Sequence, residues 1–117
     1  MKIVVAPDSF KESLSAIDAS KVMKQAIQKE MPNATVELYP MADGGEGILD
    51  TLVYATNGRF IDVTVSGALG NKIHTQYGVL GDDETVVIEI AKIAVLIQVN
   101  RSKRNPKNTT TFCIGET

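Results

Sequence analysis

Apolar and polar positions alternate between two regimes along this chain. Lys2 to Ala6 is a short, unbroken, β-branched run ended by Pro7, the pattern of a strand covered on both faces as in parallel sheets. A polar loop, Asp8-Ser9-Phe10-Lys11-Glu12, follows it. Ser15 then precedes Ala16, and Asp18 lies three residues further on, a weaker relative of the capping box that predicts a helix start. Ile17, Val22, Met23, Ala26, Ile27 and Met31 form one apolar stripe until Pro32-Asn33 stops it, so the helix should run from about Ala16 to Met31. Thr35 to Tyr39 reads as a second short strand, and Pro40 to Gly47 as a loop. From Glu46 the pattern is helical again, with Ile48, Leu49, Leu52, Val53 and Ala55 facing inward and Asn57-Gly58 supplying a left-handed terminus.

Residues 1–58 therefore read β-loop-α-β-loop-α. Two strands joined by a helical crossover are parallel, so both polar loops should leave the carboxyl ends of their strands and face one another across a cleft. This is the opening of a Rossmann- or flavodoxin-like α/β layer. Beyond Arg59 the period changes to two: Phe60, Asp62, Thr64 and Ser66 interleave with Ile61, Val63 and Val65, and Gly67 to Asn71 forms a turn. Ile73 to Leu80 and Val86 to Ala91 are two more strand candidates, which makes 59–99 an antiparallel β meander and the expected start of a second domain. Residues 100–117 read as an irregular basic tail.

Composition narrows the function classes. A chain of 117 residues with 44% hydrophobic and 22% charged side chains has the make-up of a soluble globular domain, and at this length it buries only about two-thirds of its unfolded surface. The formal charge of -2 attracts neither nucleic acid nor an anionic membrane, leaving a small-molecule ligand as the better fit. Ile93 to Ile97, the longest apolar stretch, falls far short of the roughly 20 residues of a membrane span. The one cysteine, Cys113, and an N-terminus that reaches Pro7-Asp8 before any signal-type run point to the cytoplasm.

The loop Ala42-Asp43-Gly44-Gly45-Glu46-Gly47 is the most informative segment. Its glycines let backbone approach a ligand, and it runs into a helix N-terminus, where unpaired N–H groups and the helix dipole favour phosphate or carboxylate. It is neither a Walker loop nor a dinucleotide fingerprint. The simpler reading, a tight strand-to-helix turn capped by Asp43, stands beside it. On the same rim of the sheet, Asp8 to Glu12 offers a cation and a carboxylate, the two things a phosphoryl-transfer site needs, through Lys11 with Asp8 or Asp43. Its simpler reading is a solvated turn in which Asp8 accepts from nearby backbone. His74 lacks partners at metal spacing and Cys113 lacks a neighbouring histidine, so neither is assigned a role. Arg101, Lys103, Arg104 and Lys107 read as a solvated basic loop without interleaved aromatics.

Two long blocks, Ile3 to Ala16 and Pro40 to Gly47, resemble the opening blocks of bacterial glycerate kinases, and the resemblance continues through Val63–Gly67, Tyr77–Gly81, Ile88–Ala91, Arg104-Asn105-Pro106 and Thr110-Thr111. It implies ATP-dependent phosphorylation of D-glycerate, magnesium accompanying the nucleotide, and a two-domain α/β fold relative to which this chain is incomplete. Carried over by position, Asp43 or Asp8 would orient the glycerate hydroxyl or hold magnesium, and Lys11 would counter phosphate charge. Ser9, Gly44, Gly45, Glu46, Gly47 and Arg104 would bind substrate or phosphate. Lys92 to Leu96 stands where the family usually has a small-residue Ala-Ser-Gly-Leu segment, and Cys113-Ile114-Gly115-Glu116 where it has Gly-Thr-Gly-Glu. The chain is expected to be a truncated N-terminal part, inactive alone. A non-catalytic anion- or nucleotide-binding module and a purely structural α/β fragment are the alternatives. Sheet edges left open by truncation would favour a homo-oligomer.

Overall fold

The computed structural model describes residues 1–93, 102, 105, 107 and 110–117. Its elements run β1 (Lys2–Val5), α1 (Ala16–Glu30), β2 (Thr35–Leu38), α2 (Ile48–Thr56), β3 (Arg59–Ser66), β4 (Lys72–Val79), β5 (Val86–Val87), α3 (Ile90–Ile93) and α4 (Phe112–Glu116). They form two sheets, a parallel β1-β2 pair and an antiparallel β3-β4-β5 meander, as the change of period in the sequence predicts.

In the first sheet Lys2 pairs with Thr35 and Val5 with Leu38. The pairing carries on past the strands, since Tyr39 N donates to Val5 O at 2.8 Å and Met41 N to Pro7 O at 2.9 Å. These bonds hold the starts of the two polar loops side by side. α1 packs on this sheet. Ser15 caps it, its hydroxyl accepting from Asp18 N at 3.1 Å and donating to the Asp18 carboxylate at 2.7 Å, so the proposed cap is present.

Two burial expectations are corrected here. Val4 is 57% exposed, so β1 is covered on one face and not on both: successive side chains point to opposite sides, and among the described residues α1 covers the side of Val5. The buried residues of α1 are the small Ala16, Ala19 and Ser20, while Val22, Met23 and Met31 of the apolar stripe are exposed. Small side chains let the helix lie close to the sheet.

α2 buries Leu49, Thr51 and Val53; Ala55, expected inside, is exposed. Asn57 at φ 53° ends the helix, with Gly58 N returning to Val53 O at 2.9 Å. Leu49 and Val53 on the buried face of α2 meet β4, which offers Gly78 at the contact. β3 and β4 pair along their whole length from Arg59–Val79 to Ser66–Lys72, closed by a turn in which Gly70 has φ 81°.

The third strand is shorter than expected. β5 is only Val86–Val87; Ile88 and Glu89 leave the sheet and Ile90–Ile93 turns into α3, where Val86 to Ala91 predicts one strand. The cause is Glu89, whose carboxylate is drawn to the backbone of α2. The tail also departs from its irregular reading, because Phe112–Glu116 forms α4. Glu116 accepts from Ser66 N at 2.7 Å, and Cys113 is buried with Val65 and Ile93 in a small core. Among the described residues no helix is long and apolar enough to cross a membrane.

Candidate active-site cleft

A cleft of about 730 Å³ opens between the loop after β1 and the N-terminal turn of α2. Its first wall is the segment Asp8 to Ile17. This segment is locally organised: Asp8 Oδ1 accepts from Ser9 N at 2.6 Å, and Phe10 and Leu14 bridge each other, Phe10 N donating to Leu14 O at 2.8 Å and Leu14 N to Phe10 O at 2.9 Å. Between them Lys11 and Glu12 form the tip of a tight turn, with Glu12 at φ 60°. The hydrogen bond of Asp8 to its neighbour is the one the simpler reading proposed, and the carboxylate nevertheless lines the cleft.

The second wall comes from the glycine loop and α2. Gly44 at φ 97° and Gly47 at φ 89° take conformations that cost other residues, which is why the loop needs glycine at both. Asp43 Oδ1 accepts from Gly45 N at 3.0 Å, a turn within the loop and not the helix cap of the simpler reading, because Gly47 stands at the N-cap of α2. Glu46 and Gly47 line the cleft, whereas Asp43, Gly44 and Gly45 lie outside its lining. Of the expected site residues, the fold thus gathers Asp8, Ser9, Lys11, Glu46 and Gly47. Arg104 lies outside the described residues, as do Arg101 and Lys103.

Three further residues complete the wall, and none was singled out from the sequence. Glu89 is 3% exposed, and its carboxylate spans the start of α2: Oε1 accepts from Gly47 N at 3.1 Å and Oε2 from Leu49 N at 3.0 Å. Lys92 reaches into the cleft from α3, its Nζ 3.0 Å from Asp50 Oδ1 and 2.9 Å from Oδ2, and 5.4 Å from the centre of the Phe60 ring. Asp50 stands in the first turn of α2, where a negative charge meets the positive end of the helix dipole. A signal for Glu89 was present: it is the one charged residue in the apolar run Val86 to Ala91, and a lone carboxylate in such a run has to find donors once buried.

His74 stays apart from this site. Its Nδ1 is 2.9 Å from Thr64 Oγ1 on the neighbouring strand, beside a smaller hollow of about 330 Å³ shared with Asp62 and Gln76. Among the described residues no cluster of three or more His, Cys, Asp or Glu side chains is placed to hold a metal by itself. The carboxylates that line the cleft, Asp8, Glu12 and Glu46 among them, are oxygen donors of the kind a hard divalent cation takes.

The family model described as "Glycerate kinase family" matches residues 3–117. A protein named glycerate kinase from Bacillus subtilis (strain 168) is 47% identical over 116 residues, covering 99% of this chain and 30% of that protein. One named glycerate 2-kinase from Escherichia coli (strain K12) is 40% identical over 116 residues, again 99% of this chain and 30% of that protein. A crystal structure named for glycerate kinase 2 of Salmonella typhimurium LT2 superposes with a TM-score of 0.89 at 43% identity, covering 99% of this chain and 31% of that one. The chain spans about 30% of the length of the curated relatives it matches.

Proposed function

Because this chain belongs to the glycerate kinase family, we propose that it forms one wall of the site at which a cytoplasmic, ATP-dependent enzyme phosphorylates D-glycerate. The observation that carries the reading is the joining of the Asp8–Lys11 turn and the Glu46–Gly47 start of α2 in one cleft, held there by the backbone bonds that continue the β1-β2 pairing.

In-line phosphoryl transfer asks for positioning and charge more than for covalent chemistry. The acceptor hydroxyl oxygen forms its bond to the γ-phosphorus as the bond to the β,γ-bridging oxygen breaks, ADP leaves, and the hydroxyl proton needs a nearby base. Asp8 is that base or orients the hydroxyl, since it is the aspartate of the first loop and lines the cleft; Asp43, outside the lining, holds the glycine loop through Gly45 N. Lys11 offsets the charge of the moving phosphoryl group. Ser9 and Glu46 orient substrate, and Gly47 lets the second wall approach. Magnesium held by Asp8 would neutralise charge on the nucleotide phosphates.

The test is a chimaera in which these 117 residues replace the aligned stretch of the Bacillus subtilis relative. It is expected to consume ATP only when D-glycerate is present, and Asp8→Asn or Lys11→Met should lower kcat about 10²- to 10³-fold with little change in melting temperature. Unchanged turnover in both variants would sink the role assignments. A chimaera that binds ATP-magnesium, folds, and never turns over would instead favour a non-catalytic nucleotide-binding module.

A further inference from the structure

A glycine-rich loop entering a helix offers a seat for a ligand's phosphate or carboxylate. In this chain that seat already has an occupant. The Gly47 and Leu49 N–H groups, which are the donors such an anion would use, both point at the Glu89 carboxylate, one to each oxygen, at 3.1 and 3.0 Å. The carboxylate is 3% exposed and arrives from 40 residues further along the chain, so this is a tertiary contact and not a local cap.

We propose that Glu89 is a specificity-determining plug: it fills the anion seat of α2 permanently and leaves the anionic ligand of the cleft to Lys11 and Lys92, the lysines that line it among the described residues. The consequence is a division of labour within one site. A free anion entering at α2 would have to displace a buried carboxylate that holds two charge-assisted hydrogen bonds and is tethered to the fold, whereas Lys11 stands at the tip of the facing turn. Lys92 is held from below by Asp50 and the Phe60 ring, which fixes its ammonium while leaving donor capacity for a ligand. Glu89 acts through the loop it holds, and so is a positioning residue and not a catalytic one. The lysine half of the proposal rests on reading the cleft as an anion site; the plug itself does not.

The experiment is a titration of the 117-residue chain with inorganic phosphate, followed through backbone amide resonances. In the wild-type chain the Gly47 and Leu49 amides should stay unmoved while resonances of Lys11 and Lys92 shift. In Glu89→Ala the two amides should lose their hydrogen bonds and then gain a saturable phosphate response. A merely structural role would produce the loss without the gain. Glu89→Gln, which keeps one acceptor and faces the second N–H with its own NH₂, should free one of the two amides and speed its hydrogen exchange at least about tenfold. Phosphate shifts centred on Gly47 and Leu49 in the wild-type chain overturn the proposal, and so does a folded Glu89→Ala chain with no response there. Should wild type respond nowhere and Glu89→Ala respond at those amides, the plug stands and the anion reading of the lysines falls.

Discussion

Gly78 on β4 faces Leu49 on α2 so closely that a methyl group placed on the glycine would lie 2.7 Å from Leu49 Cδ1 and 2.6 Å from Val53 Cγ2. This contact seats α2, and with it the second wall of the cleft, on the meander. It also explains why residues 59–87 matter to a site built by residues 8–17, 46–51 and 89–92.

Substitution at this contact separates side-chain crowding from backbone crowding. Gly78→Ala pushes on the ends of Leu49 and Val53, which can shift, and should cost about 1–3 kcal/mol of stability, as overpacking does. At Gly81 an added Cβ would sit 1.8 Å from the backbone oxygen of Thr56, which cannot rotate away, so Gly81→Ala should be the more damaging of the two. Urea unfolding of both variants checks the order. A Gly81→Ala chain at least as stable as Gly78→Ala would show that the α2–meander contact is looser than described.

The cap on α1 gives a second prediction. Ser15→Ala removes the acceptor for Asp18 N and should lower stability by about 1 kcal/mol, whereas Ser15→Thr, which keeps a hydroxyl able both to accept from Asp18 N and to donate to its carboxylate, should keep most of it. Thermal melts of the three chains measure this directly, and equal losses in both variants would argue that the hydroxyl contributes through something other than the cap.

Acid should loosen the turn between β4 and β5. The carboxyl of Asp82 lies below its ordinary range because it accepts from the Thr85 hydroxyl, then from the backbone N–H groups of Thr85 and Glu84, at 2.9 and 3.0 Å for the latter two. A carboxyl depressed in the folded state stabilises above the unfolded value, about 3.9 for aspartate, and loses that contribution as pH falls through its lower folded value. The protection of the Glu84 and Thr85 amides, their exchange measured against the intrinsic rate at each pH, should therefore be full at neutral pH and fall below about pH 4. Asp82→Asn should flatten that acid dependence; an unchanged profile in the variant would place the acid-sensitive group elsewhere.

Elements with a local cause were readable from the residues. Ser15 with Asp18 marks the start of α1, Asn57 the end of α2, and the alternation from Arg59 onward the hairpin, because capping, left-handed termini and period-two patterning all act within a few residues. The joining of the two polar loops followed from the parallel connection of β1 and β2.

What the sequence by itself determined, then, is the succession of elements from β1 to β4, the shared rim that carries Asp8 and Lys11 beside Glu46 and Gly47, and the family resemblance. Tertiary structure decided which faces are buried, leaving Val4, Val22 and Met23 exposed because burial depends on the layer that happens to lie opposite. It also cut the third strand short: Glu89 leaves the sheet for the N–H groups of Gly47 and Leu49, and no local pattern can announce a partner forty residues away. The same contact engages the Gly47 and Leu49 N–H groups, since a buried carboxylate must be satisfied and α2 supplies the donors.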